Sequence, residues 1–254
     1  MAQYQFGSGI LWGIPLMDAR GNTIETPTPV QFGELQNCSV DFSFETKTLH
    51  GQNQFPVAVG RGKGKITGKA AFASINGLLF NSLFFGQTLQ SGIVSDIFST
   101  DGVQIPASPS EITVEPPNSG TFAFDLGVRD EHGNTMVRVN ATPNVGQYAV
   151  EGSGKYTFAS AQASKFVYIN YQYTADSTTA KKMTIKNLPM GYSPTFKAEL
   201  FMPYQGKTLI VTLPNCVSAK MSLSTKQDDF VMPDLDFECF ADPNGDVATL
   251  ASSE

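Results

Sequence analysis

The sequence predicts a mainly β protein: an antiparallel β-sandwich or partial barrel with one flanking α-helix and a small β-insert. Three observations predict it. Apolar and polar residues alternate with a period of two in five separate stretches, which places alternate side chains on opposite sheet faces. One segment, 74–86, carries helical spacing instead. Pro-rich and Gly-rich turns break residues 91–176 into short strand-like pieces.

The first stretch sets Val40, Phe42 and Phe44 against Ser39, Asp41, Ser43 and Glu45. The second sets Ile66, Gly68, Ala70 and Phe72 inward and Lys65, Thr67 and Lys69 outward. The helical segment has apolar residues at Ile75, Leu78, Leu79, Leu83 and Phe84, with Ser74 placed to cap its start and Gly86 its end. Gly77 weakens this helix by about 1 kcal/mol relative to Ala. Its apolar face is expected to cover one side of the sheet and leave the opposite polar face free. Three further strands follow. Phe196, Ala198, Leu200 and Met202 alternate with Thr195, Lys197 and Glu199. Val217, Ala219, Met221 and Leu223 alternate with Ser218, Lys220, Ser222 and Ser224. Leu235, Phe237, Cys239 and Ala241 alternate with Asp236, Glu238, Phe240 and Asp242. Such alternation marks half-buried antiparallel strands.

These elements divide the chain into three parts. Residues 1–90 hold an N-terminal arm, the first strands, a long connection and the helix. Residues 91–176 form a small inserted β-domain, opening with Ile105-Pro106-Ala107-Ser108-Pro109 and Glu115-Pro116-Pro117. Residues 177–254 supply the closing strands and a C-terminal arm. The connection between the first two strands spans 46–63. Compact domains rarely keep a connection this long without a task. It also carries Leu49, Phe55, Val57 and Val59, which a solvated loop would not favour. Either a neighbouring subunit covers them, or the segment folds back on its own domain as a strand or Ω-loop.

Composition narrows the function. The 254 residues include 17 Lys plus Arg against 23 Asp plus Glu, a net charge of −6, which excludes a chain-wide basic footprint for gripping nucleic acid. Charged residues make up 16%, against about 25% in ordinary soluble domains. That deficit fits either a surface covered by other protein or an uncharged, Ser/Thr/Asn-rich β surface. No apolar run reaches the roughly 18 residues of a membrane-spanning helix. Met1 to Arg20 has neither a basic leader nor a cleavage pattern, so no secretory signal is expected. Cys38, Cys216 and Cys239 are too widely spaced for a disulfide framework or a metal knuckle, and are expected as reduced, mostly buried thiols.

Catalytic arrangements are sparse. His50 and His132 are the only histidines, and neither has metal-ligand spacing. His132 lies in Asp130-Glu131-His132-Gly133-Asn134, a hairpin tip by composition. Gly60-Arg61-Gly62-Lys63-Gly64-Lys65 lacks the spacing and the following helix of a phosphate loop. The basic run Arg61, Lys63, Lys65, Lys69 has no interleaved aromatics, and Lys65 and Lys69 are expected to pair across strands with Asp41 and Glu45. Asp242-Pro243-Asn244-Gly245-Asp246 reads as a β-turn rather than a calcium loop. No enzyme activity, cofactor or metal is expected.

The order of several short blocks resembles the tail tube (major tail) proteins of long-tailed bacteriophages, of the non-contractile, siphovirus type. These blocks are Phe32-Gly33-Glu34-Leu35; Leu49-His50-Gly51-Gln52 with Phe55-Pro56; Gly62-Lys63-Gly64-Lys65-Ile66-Thr67-Gly68-Lys69; and Lys226-Gln227-Asp228-Asp229-Phe230 through Asp236–Asp242. In the middle, Asp125-Leu126-Gly127-Val128, Gly146-Gln147-Tyr148, Tyr156-Thr157-Phe158 and Ile169–Tyr173 resemble the insert of some such proteins. Together the blocks cover most of the chain, though each is short and degenerate.

The resemblance implies a tail-tube-type fold, a structural virion protein whose six copies form a ring, and rings that stack into a tube. Strands of neighbouring copies would merge into a continuous inner barrel. It implies that the long loop and terminal arms bridge subunits and rings, so Leu49, His50, Phe55, Pro56, Val57, Val59 and Arg61 become the expected contacts. The polar strand faces would line the channel: Asp41, Ser43, Glu45, Lys65, Thr67, Lys69, Lys197, Glu199, Asp236 and Glu238. These hold five acids and three bases, a mildly acidic wall that repels phosphate at close range. Implied partners are further copies of the chain, tape-measure, tail terminator and distal tail proteins, and double-stranded DNA in non-specific passage, without membrane insertion. The implied location is the virion tail, after synthesis in the host cytoplasm, with the insert outside the tube. Competing readings are a β-sandwich adhesin or binding module using an exposed Tyr168, Tyr171 and Tyr173 patch, and another ring-forming tail or secretion-tube component.

Overall fold

A computed structural model describes residues 4–74, 77–87, 89–225 and 227–253, except for the side chain of Leu78. Ile75, Lys226 and the side chain of Leu78, which entered the sequence reading, lie outside the described residues. The protein is mainly β with antiparallel sheets. Strands run in chain order β1 (Ile10–Met17), β2 (Val30–Gln31), β3 (Leu35–His50) and β4 (Pro56–Phe72), followed by α1 (Gly77–Phe80). Next come β5 (Gln90–Ser91), β6 (Ile93–Ile97), β7 (Val103–Gln104), β8 (Glu111–Thr113), β9 (Thr121–Asp130) and β10 (Val137–Arg138). β11 (Gln147–Val150), β12 (Lys155–Phe158), β13 (Phe166–Ala175) and β14 (Lys181–Lys182) follow. The chain closes with β15 (Thr195–Tyr204), β16 (Lys207–Ser222), β17 (Asp234–Cys239) and β18 (Thr249–Ser252). Two compact units result, one from residues 1–88 with 183–254, the other from 89–182.

The first unit is an eight-stranded sheet in the order β2-β1-β15-β16-β17-β4-β3, with β18 also paired to β16. Its register makes the alternation visible row by row. Leu235, Ala70 and Cys38 oppose one another across β17, β4 and β3, as do Phe237, Gly68 and Val40. These rows face the core with Phe72, Phe196, Ala198 and Leu213. The rows between them, Asp236–Lys69–Ser39 and Glu238–Thr67–Asp41, face the other way.

Leu79, Phe80 and Leu83 cap the apolar face and are buried. Gly13 permits this closeness, since a Cβ there would stand 2.3 Å from a Leu83 methyl. The expected helix over 74–86 is partly widened within the described residues. α1 begins at Gly77, and Asn81–Phe85 continue it as a π-helix. The Ser74 hydroxyl, expected as the cap, donates to the Gly33 carbonyl (3.3 Å), and the N–H of residue 76 that it would cap lies outside the described residues. Gly86 ends the segment as expected, at φ 57°, its N–H donating to the Asn81 carbonyl. The buried Asn81 side chain holds this turn by accepting from the Gln87 N–H (3.0 Å) and donating to the Gln87 carbonyl.

The β16 alternation expected from Val217 to Leu223 changes phase. A register shift between Ser218 and Lys220 places Val217 opposite Glu238, on the polar face. Ser218 opposes Phe237 and turns inward, where its hydroxyl donates to the Leu83 carbonyl (2.7 Å). Met221, beyond the shift, packs against the core again. One extra residue in a strand flips the faces on either side of it.

The second unit has its own core, including Ile105, Val128, Tyr156, Phe158, Val167 and Ile169. β13 pairs with β6 and β7, and also with β9, while β10, β11, β12 and β8 form a second sheet in which β10 and β11 run parallel. At its centre the Asp125 carboxylate accepts from the Tyr148 hydroxyl (2.8 Å), the Tyr156 hydroxyl (3.0 Å) and the Gly127 N–H (3.0 Å). Burial, reinforced by this carboxylate, pushes both phenols well above the ordinary tyrosine range. Tyr171 and Tyr173 are buried in the same core, so the exposed aromatic patch expected of an adhesin is not formed: alternation on β13 turns both rings inward.

Candidate functional site

The long connection expected over 46–63 is a ladder. Thr46, Thr48, Leu49 and His50 pair with Arg61, Val59, Ala58 and Pro56. Thus Leu49, His50, Pro56, Val57, Val59 and Arg61 lie in strands, and Phe55 lies in the short turn between them. The reason is the backbone's need for partners: an excursion of this length satisfies its N–H and C=O groups most simply against its own return path.

This hairpin outruns the rest of the sheet. β17 ends at Cys239, which opposes Ile66, and Ile66 opposes Phe42. Beyond that row, among the described residues, β3 and β4 have only each other as partners. From Ser43 to His50 the arm extends roughly 25 Å, at about 3.3 Å per residue. A two-stranded ribbon in water has two open edges and little stability of its own.

The faces of the arm follow from its register. β3 continues its alternation through Phe42, Phe44, Thr46 and Thr48, while β4 gains one residue between Gly64 and Arg61. Arg61 and Val59 therefore oppose Thr46 and Thr48 on the core-side face, and the Arg61 guanidinium sits 4.8 Å from the Phe44 ring centre. Phe42 and Phe44, expected in the core, continue the core face past the residues that cover it, and are 46% and 53% exposed. Val59 and Val57 extend the strip at 63% and 68%, Phe55 stands at the tip at 80%, and Leu49 is exposed on the opposite face. Fully burying one such side chain contributes about 1.5–3 kcal/mol. The core-side face of the arm thus leaves Phe42, Phe44, Val57 and Val59, interleaved with Thr46, Thr48 and Arg61, about half to two-thirds exposed in a single chain.

The second feature is the polar sheet face. Asp41, Thr67 and Glu238 form one row, and Ser43 and Lys65 another. Lys69 opposes Asp236. Lys197 and Glu199 lie on the same side, opposite the buried Phe196 and Ala198 of β15. Glu45 projects at the base of the arm beside Gly62. The expected pairing of Lys65 and Lys69 with Asp41 and Glu45 does not form. Lys65 bonds Glu238 (2.7 Å) and Lys69 approaches Asp234 (3.7 Å), because the salt-bridging neighbours of β4 lie on β17 rather than β3. Lys197 pairs with Glu199 (3.2 Å). Lys65, Lys69 and Lys197 are therefore each paired within this face, while Lys220, which opposes Asp236 from β16, has no ion pair among the described residues, nor have Asp41, Glu45 and Asp236.

Among the described residues no three His, Cys, Asp or Glu side chains come together to hold a metal. The Asp130 and Asp242 segments are turns, each closed by an aspartate accepting backbone N–H groups from the next residues. A bond from the Asn134 side chain, with those from the Asn134 and His132 N–H groups, lowers the Asp130 pKa. No helix among the described residues is long and apolar enough to cross a membrane.

One feature was left undecided in the sequence and one was missed. Of the two readings left open for 46–63, the strand folded back on its own domain is the one that forms; the sequence left it undecided because Gly60, Gly62 and Gly64 break apolar alternation in β4, although the matched runs Thr46-Thr48-His50 and Val57-Val59-Arg61 point to it. The adjacency of Cys216 and Cys239 depends on strand register and has no local signature. No family model matches the chain, and no curated protein matches it.

Proposed function

We propose that this chain is the repeating subunit of a long-tailed bacteriophage tail tube, of the non-contractile, siphovirus type. Six copies form a ring, rings stack into a tube, and the tube conducts DNA into the host. The observation that carries the reading is the free two-stranded arm, on whose core-side face Phe42, Phe44, Val59 and Val57 stay largely exposed in one chain. A second copy in the next ring supplies that cover. The open edges support lateral joining: among the described residues β3 has β4 as its only partner, and at the other end of the sheet the two-residue β2 pairs only with Trp12 and Gly13 of β1. Strand-to-strand closure around a ring removes edges that otherwise recruit stray chains. In this reading Asp41, Glu45 and Asp236 outnumber the unpaired Lys220 opposite Asp236 and leave the channel wall mildly acidic, which keeps DNA mobile. Tape-measure, terminator and distal tail proteins are the partners of such a tube, and the virion tail is its location.

Negative-stain electron microscopy of the purified chain, alone and with Val57→Asp/Val59→Asp, tests this. The parent is expected to give six-fold rings and stacked tubes. The double variant is expected to stay folded and soluble but to form no tubes. A parent that remains single-copy at high concentration overturns the proposal. Single rings that never stack would favour another ring-forming tail or secretion-tube component, and saturable ligand binding by a monomer would favour an adhesin.

A further inference from the structure

Cys216 of β16 and Cys239 of β17 stand directly opposite each other, their Sγ atoms 3.4 Å apart, and both are free thiols. Directly opposed residues of an antiparallel pair hold their Cα atoms about 4.5–5.5 Å apart. A disulfide spans Cα separations of about 4.4–6.8 Å, with sulfurs about 2.05 Å apart. The backbone therefore already has the spacing of a cross-strand disulfide, and only the sulfurs need to close. The third thiol lies elsewhere. Cys38 shares a row with Ala70 and Leu235, away from the row of Ile66 and Cys239.

The two thiols differ in access. Cys216 is fully buried, whereas Cys239, at the end of its strand, is half-buried. A hydrogen bond from the Cys216 thiol favours the Cys239 thiolate and lowers its pKa, while the same contact and burial raise that of Cys216. Burial pushes Cys38 up to about 11.

We propose that Cys216 and Cys239 form a reversible thiol–disulfide modification site, closed by exchange with a small disulfide such as oxidised glutathione. The Cys239 thiolate attacks one sulfur of that disulfide. An S–S bond forms to Cys239, the original S–S bond breaks, and one glutathione leaves as thiolate. Cys216 then gives up its proton and attacks the Cys239 sulfur, expelling the second glutathione. The two cysteines are oxidised to one disulfide, and one oxidised glutathione is reduced to two thiols. The link ties β16 to β17 within the sheet, and it stands independently of the tail-tube reading.

The test uses the full chain incubated with oxidised glutathione, then denatured, alkylated and mapped by mass spectrometry. The expected result is one alkylated cysteine, Cys38, and one linked peptide pair holding Cys216 and Cys239, reversed by dithiothreitol. In Cys216→Ser, which lacks the resolving thiol, a stable glutathione adduct is expected on Cys239. Three alkylated cysteines in the treated parent overturn the proposal. So does a persistent glutathione adduct on the parent's Cys239, or a link that includes Cys38.

Discussion

The ring of Phe237 fills the space in which a side chain on Gly68 would stand: a Cβ built there would lie 2.1 Å from the ring's Cζ. The two residues are cross-strand neighbours, and Phe237 is fully buried with its ring 5.7 Å from that of Phe196. Glycine at 68 therefore sets the depth at which the aromatic layer meets the sheet. Gly68→Ala must push either the ring or β4 aside. Overpacking of this kind costs about 1–3 kcal/mol, sometimes more. Urea unfolding of the full chain is expected to show a lower midpoint for Gly68→Ala. Gly60→Ala, where nothing lies within 4 Å of a built Cβ, is the control expected to move the midpoint far less. Equal midpoints for both would show that the ring yields freely.

That contact illustrates which parts of the fold the residues announce in advance. The alternation of Ile66, Gly68, Ala70 and Phe72 assigns faces correctly because one side of β4 is buried, and burial selects apolar residues two apart. The same logic holds for β15 and β17. It fails at Val217, where the register shift reverses the faces and only the partner strand reveals it. It fails again over 46–63, where neither face of the arm is covered in one chain, so the alternation that burial would impose is interrupted by glycines. The polar face was legible as a set of residues, but its ion pairs were not, since pairing Lys65 with Glu238 requires knowing that β17 lies beside β4.

The second unit should lose stability in alkali. Tyr148 and Tyr156 donate to the buried Asp125 carboxylate, and both phenols hold their protons above the ordinary range. In the unfolded chain a tyrosine ionises near pH 10. Below that value both states are protonated and the contribution is complete. Above it only the unfolded chain releases these protons, so the folded state loses stability as pH rises from about 10 toward the folded values. Ultraviolet titration is expected to show tyrosinate from this pair appearing together with loss of hydrogen-exchange protection in β9, β11 and β12. Tyrosinate that appears at pH 10 with protection intact would mean that the phenols are not held by the carboxylate.

The acidic character of the polar face gives the third prediction, which rests on the proposed channel. Lys65, Lys69 and Lys197 each have a carboxylate within 4 Å, at 2.7, 3.7 and 3.2 Å, so their charge is cancelled locally. What a passing phosphate meets besides these pairs is the unpaired set: Asp41, Glu45 and Asp236 against a single Lys220 on the sheet's polar face. Replacing Asp41 and Glu45 by lysine leaves two uncompensated cations per subunit in place of two anions. Both side chains are exposed, and neither position packs in the core, so folding is expected to be unaffected. Across a six-fold ring the change is multiplied by the copy number, and each cation near the backbone displaces condensed counterions and binds DNA in a salt-dependent way. Tubes carrying Asp41→Lys/Glu45→Lys are expected to assemble normally and to release DNA several-fold more slowly, with the parental rate restored by raised salt. The readout is dye fluorescence of released DNA after triggered ejection. Unchanged ejection at low salt would remove this face from the channel wall, while leaving the arm's role in stacking untouched.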